Sequence, residues 1–249
     1  MARTAWNVSL SFLGLLLAFV GIALAMEKAG TSYALVFPLV LTGYLISICL
    51  HEFGHAAAAY AGGDYSVEAK GYLTLDPLRY VDLQYSILLP LLFLLIGGIG
   101  LPGAAVYLNM NAIRSPFYRS FASAAGPLAT LAFLLFLLAV LHSAGASMSA
   151  PLYASLTFLA FLQLSVLVLT LLPVPGFDGW GIIEPWLPPA AQEFGARLAP
   201  IAPLLLFTAF ILIPATNAYF WQQVSTLVVL TRLDPAGIAQ GWSAFEFWR

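Results

Sequence analysis

Long apolar runs constrain this chain more than anything else in it, because each must be buried in a core or in lipid. About 20 predominantly apolar residues carry a helix across a bilayer. Trp6–Met26, Ser32–Tyr60, Ser120–His142 and Leu152–Val174 reach that length. Leu198–Leu233 reads as two short spans broken at Pro214. One further run, Tyr85–Leu108, holds Pro90, Gly97, Gly98, Gly100, Pro102 and Gly103, poor material for a straight helix. Only 8% of the 249 residues are charged, against about 25% in a soluble domain. Residues 1–249 therefore read as a single all-α polytopic domain embedded in a lipid bilayer. The Ala23-Leu24-Ala25 ending of the first run resembles a signal-peptidase site, but the run is long and Arg3 is a thin basic region, which favours a retained helix.

The basic residues sort the runs by side. Suppose Tyr85–Leu108 dips in and returns while the other candidates cross. Arg3, Lys70, Arg79, Arg114, Arg119, Arg197, Arg232 and Arg249 then share one face and only Lys28 lies opposite, a split of eight to one. A full crossing gives six against three. The re-entrant reading yields about six spans with both ends cytoplasmic. Irregular backbone at membrane depth must be covered by protein or line a wet cavity. A net charge of −2 without a basic run excludes nucleic acid as a partner. The single Cys49 excludes a disulfide framework.

Residues 51–55, HEFGH, stand in the cytoplasmic half of the second run. His51 and His55 are four apart, so their rings leave one face of a helix one turn apart. Two such imidazoles can hold one zinc ion, with Glu52 alongside to take a proton from water. Chance polar residues at a helix interface are the bland alternative, set back by the cost of ionisable groups in a membrane. A catalytic zinc site usually has a third protein ligand. His142 ends the third run at the opposite face and reads as an interfacial histidine. Asp64, Glu68, Asp76 and Asp82 read as solvated loop charges. Asp178 stands out in LTLLPVPGFDGWGIIEP, where prolines end the fourth run and glycines let the chain bend; its alternative is an ordinary turn aspartate.

With HEFGH (51–55), AAGPLAT (124–130) and TLLPVPGFDG (170–179), the chain resembles the site-2 protease family of intramembrane zinc metalloproteases, in its bacterial form without a PDZ domain. GYLTLDPLRYVDLQYSILLPLL (71–92) and GIIEPWLPP (181–189) extend the likeness over residues 44 to 190. The resemblance implies a catalytic core at about 32–190, built on the second, third and fourth spans, with C-terminal helices over 198–249. It implies one zinc per chain on His51, His55 and Asp178, Glu52 as general base, and short membrane-associated strands or a re-entrant segment after the HEFGH helix. It further implies single-span membrane proteins as substrates and a bacterial cytoplasmic membrane as the location, with the active site toward the cytoplasm. Two positions depart from the family pattern: Thr170 and Thr130 stand where asparagine is common. A donor to the charged carbonyl oxygen is worth roughly 100- to 1,000-fold in rate, and Thr170 can supply one through its hydroxyl.

Residues 66–76, SVEAKGYLTLD, alternate enough to suggest a strand whose edge holds an unwound substrate; a short cytoplasmic loop is the alternative. Trp242, Phe245, Phe247 and Trp248 read as interfacial anchors. The competing function is a catalytically weak zinc-binding relative acting as a membrane scaffold or regulator. A metal transporter ranks last, since polar ligands concentrate at one depth.

Overall fold

A computed structural model describes residues 7–30, 32–80 and 106–248. Helix α1 (Leu10–Ala29) starts where the Ser9 hydroxyl accepts the Phe12 N–H, and α2 (Val36–Gly62) runs for 27 residues, about 40 Å. Two single turns follow, α3 (Ser66–Ala69) and α4 (Pro77–Tyr80). Helix α5 (Pro116–Ala144) opens on a Ser115 cap, with Pro116 at its first position, where a missing N–H costs nothing. Then come α6 (Ala150–Thr170), the short α7 (Asp178–Ile183), α8 (Pro189–Leu198), α9 (Ala202–Leu212), α10 (Pro214–Thr231) and α11 (Pro235–Phe245). Helices α1, α2, α5 and α6 are long and apolar enough to cross a membrane, and α8 with α9, bent by 69°, makes a fifth candidate.

Contacts along the helices fix their directions. Gly43 of α2 lies against Leu159 of α6, and Ser47 bonds to Gln163, so α2 and α6 run parallel. His51 meets Thr130, Gly54 meets Ala125 and Gly62 meets Tyr118, so α5 runs antiparallel to α2. The fully buried Ala56 and Ala59 let these helices approach closely. Helix α1 is also antiparallel, from Ser9 beside Thr74 to Glu27 beside Ser149. The chain leaves α2 and returns to α5 at the same end: the Arg114 N–H donates to Gly62 O at 3.0 Å, and the Arg114 guanidinium donates to Ala61 O. The re-entrant reading itself falls on residues 81–105, with most of the Tyr85–Leu108 run and Asp82, which lie outside the described residues.

Three expectations change. No strand occurs among the described residues. The 66–76 stretch is coiled into turns, with Gly71 at φ 76° and Leu75 at φ 53°. Three of its N–H groups are used internally, Lys70 to Ser66 O, Gly71 to Glu68 O and Tyr72 to Val67 O, in turns rather than along a strand edge. Asp64 is not a solvated charge: it is buried and accepts from Ser66 N, Ser66 Oγ and Asn109 N, closing the loop's two arms together. Asp76 likewise accepts from Ser11 Oγ.

Nor do α9 and α10 form an out-and-back pair. Trp221 stacks on Phe161, Gly237 and Gly241 lie against Tyr153 and Ala154, and Phe245, Phe247 and Trp248 close on Phe37. The chain beyond Pro214 therefore travels to the end of the bundle opposite the HEFGH terminus of α2, as one traverse broken at Pro214. Arg232 stands at the same end as Lys28, not with Lys70, Arg79, Arg114, Arg119 and Arg197. The described helices supply four or five candidate spans, the fifth being the bent α8–α9 pair.

Candidate metal centre

Helix α2 carries His51, Glu52 and His55, all buried. His55 lies seven residues before the helix end, about 10 Å along the axis. Both rings lie against the backbone of α5 at Gly126, where any Cβ would overlap the Nε2 atoms of His51 and His55. Pro127 follows; it has no N–H, so the Ser123 carbonyl loses its helical donor and this turn is loosened. The adjacent Ala122 carbonyl accepts from His55 Nδ1 at 2.7 Å. A carbonyl can only accept, so Nδ1 carries the proton and Nε2 presents a lone pair. His51 Nδ1 bonds to Thr130 Oγ1 at 2.9 Å. The same tautomer there leaves its Nε2 free to face that of His55.

Asp178 is the first residue of α7. Gly179 must follow it, because a Cβ there would strike the Leu171 and Leu172 carbonyls at the end of α6. The close approach folds the chain back and brings the carboxylate over the histidine pair. His51 Nε2 and His55 Nε2 are 3.0 Å apart, and each is 3.3 Å from an oxygen of Asp178. Three acceptor atoms converge with no donor between them, an arrangement that calls for a cation. A tetrahedral ion with bonds of about 2.0–2.1 Å has ligand-to-ligand edges of about 3.3 Å, so the triangle fits one face of a zinc polyhedron.

Glu52 is buried beside this triangle, its Oε2 accepting the Val106 N–H at 3.0 Å. A cavity of about 760 Å³ opens from His51, Glu52, His55 and Asp178 toward the apolar wall of α9 at Leu206, Phe207 and Phe210. Thr170 lines it with a buried hydroxyl that has no hydrogen-bond partner. On the same helix Ser155, Thr157 and Ser165 all bond back to the carbonyl four residues earlier; Thr170 does not. His142 bonds to the Leu138 carbonyl near the far end of α5 and stays outside the cluster, as the sequence suggested. The triangle forms the one group of three metal-binding side chains among the described residues.

Sequence reasoning missed three supports: the Ala122 carbonyl, the Val106 N–H, and the Thr130 hydroxyl as the partner of His51. The first two are backbone groups with no residue signature. Thr130 was visible only as a departure from a family pattern.

Several known proteins are similar to this chain over most of its length. The chain is 44% identical over 245 residues to "Putative zinc metalloprotease Rip2" of Mycobacterium tuberculosis strain H37Rv, covering 95% of this chain and 93% of that protein. It is 40% identical over 234 residues to the protein of the same name from Mycolicibacterium smegmatis, covering 92% and 89%. The chain belongs to the site-2 protease family. A more distant family member, "Putative zinc metalloprotease YwhC" of Bacillus subtilis, is 31% identical over 204 residues, covering 74% of this chain and 90% of that protein. No family model and no solved structure matches. The names of these relatives support a zinc protease function for this site-2 protease homologue, and its long apolar helices support a place in a membrane.

Proposed function

We propose that this protein is an intramembrane zinc endopeptidase that hydrolyses peptide bonds in or beside the transmembrane segments of single-span membrane proteins. One observation carries the reading: a zinc-sized triangle and a buried glutamate face a cavity walled by helices of membrane-spanning length. One ion per chain, held by His51, His55 and Asp178, fits the donor set. Zinc, when bound, lowers the pKa of its water and polarises a carbonyl.

The remaining work falls to side chains of this chain. Glu52 takes the proton of the attacking water and passes it to the departing amine nitrogen. The unpartnered Thr170 hydroxyl donates to the carbonyl oxygen as it gains charge. Ala122 and Thr130 hold the imidazoles in the tautomer that binds metal. Phe207, Phe210 and Leu206 offer an apolar wall to an opened substrate helix and keep bulk water away.

The protein crosses a bacterial cytoplasmic membrane several times, with the active-site end in the cytoplasm. Lys70, Arg79, Arg114, Arg119 and Arg197 at that end support this orientation, against Lys28 and Arg232 at the other. Reconstitution in liposomes with a single-span reporter tests the reading. The native protein should cleave within or next to the span, Glu52→Gln should abolish cleavage while retaining zinc, and Asp178→Ala should lose the metal. Reporter binding without cleavage, unaffected by Glu52→Gln, would favour the scaffold instead.

A further inference from the structure

Behind the metal centre, on the side away from the large cavity, lies a second and much smaller pocket. Its volume is about 10 Å³, and Ser47, His51, Glu52, Thr130 and Gln163 line it. That is about the room one water needs, provided it finds two to four polar partners. Gln163 projects from α6 into the helix interface and is fully buried. The Ser47 hydroxyl donates to its Oε1 at 2.5 Å, while its Nε2 has no partner. Turning the amide over would only exchange the two atoms; one polar atom remains unpaired either way. Leaving such a group unpaired costs about 1–3 kcal/mol, and α6 has apolar residues around it where an isoleucine or leucine would fit the helix better.

We propose that this pocket holds one bound water, and that Ser47 and Gln163 act through it as positioning residues for Glu52 and for the Thr130–His51 pair. The water accepts from the Gln163 amide and donates toward the Glu52 carboxylate, with the Thr130 hydroxyl as its third neighbour. Glu52 is then held from two sides, by the Val106 N–H on Oε2 and by the water from the bundle interior. A carboxylate pinned this way stays aimed into the large cavity when substrate fills it. The proposal rests on the roles given above to Glu52 and His51.

Two measurements test it independently of each other. A density map of the native protein that resolves waters should show one within about 3 Å of the Gln163 amide; a dry pocket overturns the proposal. Gln163→Met keeps the length of the side chain and removes its polar end. It should retain zinc and KM, lower kcat by about 10-fold, and shift the visible absorption of the cobalt-loaded protein as the support of His51 loosens. Gln163→Glu, whose carboxyl stays protonated in this setting and still bonds to the water, should recover most of the loss. Native kcat and a native cobalt spectrum in Gln163→Met would overturn the proposal, as would a loss that Gln163→Glu does not recover. If Glu52→Gln still cleaves, the proteolytic roles fail instead, and the map and the cobalt spectrum still report on the pocket.

Discussion

The two ends of this helical bundle are closed by different chemistry. At the HEFGH end, polar contacts converge: Asp64 ties two arms of a loop, Arg114 grips the terminus of α2, and Asp178 is folded back over two imidazoles. At the other end, aromatic rings do the closing, with Phe37 surrounded by Phe245, Phe247 and Trp248. Directional contacts hold atoms at set distances and tolerate little displacement. Ring packing spreads its energy over area and tolerates repacking. Chemistry should therefore be fragile at one end and robust at the other.

Gly126→Ala is the harshest way to break that contrast. Its added methyl occupies the place of both Nε2 atoms, so zinc content should fall well beyond the roughly 10- to 100-fold typical of losing a supporting partner; metal analysis of the purified variant checks this. Thr170→Val comes next. It should keep zinc and lower kcat by roughly 100-fold, with Thr170→Asn restoring a donor; steady-state kinetics on a single-span reporter separates the two. Thr130→Val should weaken zinc about 10-fold, read by competition with a chelator, because His55 keeps its own carbonyl support. Phe37→Ala, at the opposite end, should lower stability by about 1–2 kcal/mol through lost ring contacts and leave zinc content and kcat native. A thermal melt paired with metal analysis measures both. If Phe37→Ala lost its zinc, the separation between the ends would be wrong.

The histidine pair and Glu52 were legible because helical spacing is a local property, readable from five consecutive residues. Asp178 was legible through its turn, since Pro175, Gly176 and Gly179 announce a bend. The supports were not, because the Ala122 carbonyl and the Val106 N–H become partners only when two helices cross at a given depth. The alternation over 66–76 misled for a related reason: period two says nothing about Gly71 adopting φ 76°. The sidedness of Arg232 was misread because charge counting cannot tell a helix pair that returns from one traverse broken at Pro214.

The bond from His55 to the Ala122 carbonyl has a consequence for any mutational survey of this protein. Replacing Ala122 with another residue leaves its carbonyl in place, so a scan of side chains will score the position by its packing alone and miss what it does for the imidazole. Half of the tautomer control in this centre is thus inherited with the helix crossing itself. It drifts only if α5 slides or rotates against α2, and a lineage can change the Ala122 side chain without touching it.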